Sequence, residues 1–231
     1  YYTGQLYDIK TISQLGHDHG CAVGFDLAHA AGNIDLHLHE DGPDFAAWCS
    51  YKYLNSGPGS LSGCFVHKRH HQSDLPRFAG WWGHDKATRF LMGDEFQPIQ
   101  TAEGWQLSNP PVLSMAAIRA SLDLFAEAGI DRLRSKSVKL TAYLADLLAE
   151  IHDENIKIIT PSDPTSRGCQ LSIQMIKPDK KLFNYLTENG VIADWREPDV
   201  IRVAPVPMYN SFEDVWQFCR ILKDGLSHLK A

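Results

Sequence analysis

The stretch Trp48-Cys49-Ser50-Tyr51-Lys52-Tyr53-Leu54-Asn55-Ser56-Gly57-Pro58-Gly59 decides how this chain is read. An apolar run leads into it, one lysine stands between two tyrosines, and a glycine-proline-glycine turn follows. Residues 45–50 and 61–66 read as short strands, so Lys52 falls in the loop between them. Upstream, residues 8–20 carry Ile9, Ile12 and Leu15 at helical spacing and end on Gly20, and residues 21–27 form a strand with Asp26 near its C-terminal end. The fold class is therefore α/β, and in open α/β sheets ligands sit outside the carboxyl ends of the strands, where both Asp26 and Lys52 fall. Links this short require at least one antiparallel or distant pairing. A lysine amine and a strand-end carboxylate among aromatic side chains are the groups that hold pyridoxal phosphate. The amine condenses with the cofactor aldehyde, and the carboxylate keeps the ring nitrogen protonated so that the ring can accept electrons.

Residues 67–108 are irregular, rich in Gly, Trp, His and charge, and longer than an ordinary connection, which marks a site or interface. Ser108-Asn109-Pro110-Pro111 supplies a cap and first-turn proline for a helix carrying Val112, Met115, Ile118 or Arg119, Leu122 and Phe125. A second helix carries Leu133, Leu140, Leu144, Leu147 and Ile151. Beyond it the pattern predicts strands over 156–160 and 170–176, a helix over 180–189 closed by Gly190, strands over 191–194 and 200–204, and a last helix from Ser211. Asp214 completes a capping-box variant there, and Val215, Phe218, Leu222, Leu226 and Leu229 form the stripe expected to be buried. The domains expected are 1–128, a cofactor-binding part with its linking helix, and 129–231, a small α+β domain.

A chain of 231 residues with 44% hydrophobic and 22% charged residues describes a soluble globular protein. A net charge of −6, with Lys and Arg scattered, provides no field for nucleic acid. No run approaches the length needed to span a bilayer, so no membrane partner is expected. The five cysteines, without CxxC spacing, read as reduced core residues of a cytoplasmic protein. The first residues, Tyr1-Tyr2-Thr3-Gly4, lack an initiator methionine, and Asp26 comes early; the chain is expected to be the C-terminal part of a longer protein.

The Asp26 and Lys52 motifs resemble the aminotransferase class V branch of fold type I pyridoxal phosphate enzymes. Gly80-Trp81-Trp82-Gly83-His84, Ser108-Asn109-Pro110-Pro111, Arg167-Gly168-Cys169-Gln170-Leu171 and Ile201-Arg202-Val203-Ala204-Pro205-Val206-Pro207 resemble, in order and spacing, the kynureninase family within it. The resemblance covers essentially the whole chain. It implies a homodimeric hydrolase that splits kynurenine or 3-hydroxykynurenine into an anthranilate and alanine, in tryptophan catabolism and NAD biosynthesis. Lys52 then matches the Schiff-base lysine, Asp26 the aspartate at the pyridinium nitrogen, and His29 a cofactor contact. Tyr51 matches the tyrosine that binds the phosphate and assists proton transfer. Trp81 and Asn109 match cofactor contacts from the neighbouring subunit, Asn109 and Trp82 line the substrate pocket, and Arg202 matches the clamp on the substrate α-carboxylate, where a planar guanidinium can bind both oxygens. His84 reads as packing or pocket.

Three other readings stay open. A cysteine desulfurase or selenocysteine lyase of the same branch needs a mobile catalytic cysteine, whereas the cysteines here sit in apolar runs. Pairs such as His17/His19, His37/His39 and His70/His71 suggest metal binding, but no carboxylate or cysteine falls at the spacing of a known site, and scattered solvated histidines are the plainer account; no metal is expected. A non-catalytic dimerisation module has no need of Asp26, Lys52 and Arg202 together. The phosphate cup and ring-stacking aromatic of fold type I enzymes have no room in residues 1–25, so the chain alone is expected to be inactive.

Overall fold

Local chemistry sets the first elements. Asp8 caps α1 (Ile9–Asp18) by accepting from the Thr11 N–H at 3.0 Å, and Gly20, at φ +72°, turns the chain out of it. In the computed structural model, which describes residues 1–229, contacts divide the chain into two compact units, residues 7–127 and residues 1–6 with 128–231. The last two residues of the expected 129–231 domain lie outside the described residues.

In the first unit, β1 (Gly24–Asp26) pairs in parallel with β2 (Phe45–Cys49), and β2 pairs antiparallel with β3 (Ser62–Val66), in the order β1-β2-β3. The expected antiparallel pairing is thus between β2 and β3. The crossover between β1 and β2 contains the one-turn helix α2 (Leu38–Asp41). One sheet face packs into a core of Ile9, Leu27, Leu38 and Ala46, with Phe25, Trp48 and Phe65 against it. The alternate positions Gly24, Asp26, Phe45, Ala47, Ser62 and Cys64 are exposed on the other face. Period-two side-chain alternation explains both sets. The long irregular segment is held by three 3-10 turns, at Lys68–His70, Arg89–Leu91 and Ala102–Trp105, and leads to α3 (Val112–Ala128), which starts directly after Pro111.

The second unit is an antiparallel sheet in the order β4-β5-β7-β6, from β4 (Ile156–Ile158), β5 (Leu171–Met175), β6 (Asp194–Arg196) and β7 (Val200–Val203). Helices α4 (Ile130–Glu150), α5 (Lys181–Glu188) and α6 (Phe212–His228) supply Leu140, Leu144, Leu182, Leu186 and Leu222 to a core shared with Leu171, Ile173 and Ile201. On the opposite sheet face run residues 1–6. Ser172 Oγ donates to the Tyr2 carbonyl at 2.6 Å, Thr160 Oγ1 donates to the Thr3 carbonyl at 2.6 Å, and the Tyr2 hydroxyl donates to Asp199, a hydrogen bond that, with burial and the carboxylate's charge, pushes the phenol up to about 12.

Three sequence expectations change. The strand expected over 191–194 forms at Asp194–Arg196 instead, because the Val191 N–H is already spent closing α5 on the Leu186 carbonyl at 2.9 Å. The buried stripe of α6 is Val215, Cys219, Leu222 and Leu226, whereas Leu229 lies past the helix end and is exposed. Of the five cysteines only Cys169 and Cys219 are core residues; Cys21 and Cys64 are exposed and Cys49 is half-buried. Apolar neighbours in sequence did not bury these thiols because two lie on an uncovered sheet face and Cys21 lies in the connection before β1.

Candidate functional site

Asp26 is the last residue of β1, and Lys52 lies three residues beyond the end of the adjacent strand β2. Parallel pairing sets Asp26 opposite Ala47, so both strands deliver their C-terminal ends to the same edge. There Asp26, Tyr51 and Lys52 line one open cavity of about 530 Å³, with Gly24, Ala28, Ala47 and Ser62 as small wall residues and Phe45, Trp48 and Cys49 beside them. Asp26 Oδ1 accepts from the Ala28 N–H at 2.8 Å, which fixes the carboxylate against its own turn. The Tyr51 hydroxyl is held above the usual phenol range, first by its hydrogen bond with the Cys49 thiol and by that group's charge, then by burial and the Asp26 carboxylate.

The loop that carries Lys52 is closed on itself. The Asn55 N–H donates to the Lys52 carbonyl at 3.0 Å, the Ser56 N–H donates to the Ser50 carbonyl at 3.2 Å, and Ser56 Oγ donates to Ser50 Oγ at 2.8 Å. Asn55 itself takes a left-handed conformation, φ 56°. Gly32 receives the loop from below, since a Cβ there would come within 2.9 Å of the Tyr53 carbonyl. From α3, Ser121 Oγ donates to the Leu54 carbonyl. His29, in the turn after Asp26, meets Tyr53 edge to face with ring centroids 6.2 Å apart and does not reach the cavity wall.

Trp81, Trp82 and His84 belong to a separate knot in the same unit. Gly80 packs so tightly that a Cβ would approach Leu107 Cα to 2.3 Å, and Gly83 exchanges hydrogen bonds with Gln106 and Ile99 at 3.0 and 2.8 Å. Its centre is the buried Arg89. One Arg89 Nη2 donates to the Trp82 and His84 carbonyls at 2.7 and 3.0 Å, while the guanidinium lies 4.9 Å from the Trp82 ring centroid and 5.9 Å from that of Trp81. Trp81 is partly exposed and stacks edge-on against Phe90; Asn109 is exposed in the segment before α3. None of Trp81, Trp82 or Asn109 lines the Lys52 cavity.

Arg202 lies on β7 of the second unit, where its guanidinium pairs with Asp194 and donates to the Tyr1 carbonyl at 2.8 Å. The histidines are less scattered than their spacing suggested. His17 and His70 reach the buried Asp44 carboxylate at 2.9 and 2.7 Å, with the Val23 N–H at 2.7 Å and Arg69 at 3.5 Å. Burial would raise the Asp44 carboxyl, but the Val23 N–H, His70 and His17 outweigh it and hold the group well below the usual carboxylate range. No group of three or more metal-ligating side chains occurs among the described residues. Among these residues no helix is long and apolar enough to cross a membrane.

Arg89, Cys49 and Asp44 carry structure at these places, and the sequence reading missed all three. Only Cys49 left a signal, its two-residue step from Tyr51.

Comparison with known proteins shows what the chain is similar to. The kynureninase C-terminal domain matches residues 133–222. The kynureninase of Flavobacterium psychrophilum is 57% identical over 230 residues, covering 98% of this chain and 54% of that protein. The chain spans about half the length of the curated relatives it matches. Among solved structures, a cysteine desulfurase from Escherichia coli superposes with TM-score 0.78 at 18% identity, covering 98% of this chain and 57% of that one. A C-DES variant with glycine covalently linked to its PLP cofactor gives TM-score 0.77 at 19% identity, covering 97% of this chain and 58% of that one. These structures share the fold of this chain. By sequence, residues 133–222 match the kynureninase C-terminal domain, and the chain as a whole is similar to kynureninases over about half of their length.

Proposed function

We propose that the protein carrying this chain is a pyridoxal phosphate-dependent kynureninase, a hydrolase acting on a carbon–carbon bond next to a ketone. The observation that carries the reading is that Asp26, Tyr51 and Lys52 line one cavity in a chain 57% identical to a kynureninase. In the reaction, water adds across the bond between Cβ and the aryl-ketone Cγ of kynurenine or 3-hydroxykynurenine; Cγ becomes the anthranilate carboxylate, and Cβ takes a proton to give alanine.

The cavity suits the cofactor. Its small wall residues leave room for a flat ring, and its donor set places one amine, one carboxylate and one phenol around that room. When bound, the cofactor supplies an aldehyde for the lysine and a cationic ring that accepts electrons. Lys52 Nζ holds the cofactor and then takes and returns the proton at substrate Cα. The Asp26 carboxylate, oriented by the Ala28 N–H, keeps a proton on the ring nitrogen. Tyr51 contacts the phosphate and moves a proton in the later steps. His29 orients beside the cofactor, and Trp81 and Asn109 add contacts from a second copy of the chain in a homodimer. Arg202 binds the substrate α-carboxylate, with Asn109 and Trp82 at its aryl end. The exposed apolar surface of Phe90, Leu91 and Met92 and of Val112 and Leu113 supports the homodimer. The chain by itself, spanning about half the length of the relatives it matches, is proposed to be inactive.

Anthranilate fluorescence on adding kynurenine to the whole protein tests the reading. Release of anthranilate, abolished in Lys52→Ala, together with borohydride trapping of the cofactor on the Lys52 peptide, is expected. Sulfide release from cysteine without turnover of kynurenine overturns it in favour of a desulfurase.

A further inference from the structure

We propose that Asp194 is the positioning residue that aims the Arg202 guanidinium at the substrate α-carboxylate. The inference rests on the carboxylate-binding reading of Arg202 above and deepens it. In the antiparallel register Asp194 of β6 stands opposite Arg202 of β7, and Arg202 stands opposite Ser172 of β5, so the three side chains rise from one face of the sheet. The Asp194 carboxylate accepts from Arg202 Nη2, and the same oxygen, Oδ2, accepts from Arg196 Nη2 at 3.0 Å. From its other end the guanidinium donates through Nη1 to the Tyr1 carbonyl at 2.8 Å, a carbonyl that Gln170 Nε2 also reaches at 3.3 Å. Both ends of the fork are thereby held, and the Arg202 side chain is only 11% exposed.

This arrangement leaves room for a carboxylate guest. A guanidinium has five N–H donors; Asp194 and the Tyr1 carbonyl take two, and three remain, enough for both oxygens of a carboxylate. Two guanidiniums share the one Asp194 carboxylate, so the trio keeps one net positive charge, the complement of a single α-carboxylate. A charge-assisted bond fixes the plane of the guanidinium, and that plane matters because two substrate oxygens have to meet it at once. The other carboxylate met by residues 1–6, Asp199, is engaged by the Tyr2 hydroxyl and by Gln174 Nε2 at 2.8 Å, so it offers Arg202 no substitute. Asp194 thus acts through Arg202 and has no need to touch the substrate.

The test uses the whole protein with its cofactor. Asp194→Ala is expected to raise KM for kynurenine about tenfold, by more than it lowers kcat, and Asp194→Glu, which keeps a carboxylate, is expected to recover most of that loss. In an Arg202→Lys background Asp194→Ala is expected to add less than about twofold, because a residue that acts through Arg202 then has no fork left to aim. An unchanged KM in Asp194→Ala beside a raised one in Arg202→Lys, or the same factor in both backgrounds, overturns the proposal alone. An unchanged KM in Arg202→Lys overturns the carboxylate-binding reading and the proposal with it. A second measurement needs no turnover: modification of Arg202 by phenylglyoxal, followed on its peptide by mass spectrometry, is expected to be several-fold faster in Asp194→Ala than in the unaltered protein, and an equal rate also overturns the proposal.

Discussion

Asp44 illustrates how much one residue can hold. Its carboxylate gathers the Val23 N–H before β1, His17 of α1 and His70 after β3, groups 21, 27 and 26 residues away from it in sequence. Because its folded-state affinity for protons is depressed, it contributes stability above the unfolded carboxylate value of about 4, and that stability is lost as the pH falls through the folded value. Asp44→Asn should therefore destabilise the first unit by about 2 kcal/mol or more at neutral pH, since buried donors lose a charged acceptor, and should flatten the acid limb of a denaturation curve. Arg89 makes a comparable point in the Trp81–Trp82 knot. Arg89→Lys keeps the charge but loses the Nη2 that serves two carbonyls and the planar guanidinium near the Trp82 ring, a cost of about 1–3 kcal/mol readable by denaturant melts and a change in tryptophan emission. Neither role could be read from the sequence, because a buried aspartate and a solvated one look alike in a string of residues. The shared position of Lys52 and Asp26 beyond adjacent strand ends was legible, because the apolar runs that precede each of them mark those ends.

At the scale of elements, ends were harder to read than existence. The start of α6 was legible, since Ser211 accepts from the Asp214 N–H at 3.2 Å and Asp214 accepts from the Ser211 N–H at 2.7 Å, a capping box between side chains three residues apart. Ser211→Ala is expected to cost about 1 kcal/mol in urea unfolding of the second unit. Leu222, fully buried between α6 and the sheet, should cost about 2–5 kcal/mol as alanine, the larger because so many helices share its core. The start of β6 was not legible: the residues after Gly190 alternate like a strand, but a hydrogen bond back to Leu186 claims the first of them. Cap chemistry acts over three or four residues and is written locally, whereas the point where a ladder begins depends on which backbone groups are already engaged.

For the whole molecule, the informative surface is apolar. Leu113 is 91% exposed and Phe90 77% exposed, and α3 buries only Ser121. On the homodimer reading these side chains meet a second copy, and Leu113→Glu should shift the whole protein from dimer to monomer in sedimentation velocity while leaving the far-ultraviolet circular dichroism unchanged. The same substitution with no change in sedimentation would remove the surface from the dimer contact.

By itself the sequence determined the α/β class, most helices and strands, the strand-end positions of Lys52 and Asp26, and the similarity to kynureninases, because each is encoded in periodicity, caps or motifs within a short span. Tertiary structure decided the rest. It brought Asp26, Tyr51 and Lys52 to one cavity, gathered histidines onto Asp44, and placed Arg202 on Asp194. The physical reason is that hydrogen bonds and burial depend on distance in space, and a parallel strand pair or a sheet face joins residues that sequence spacing leaves unrelated.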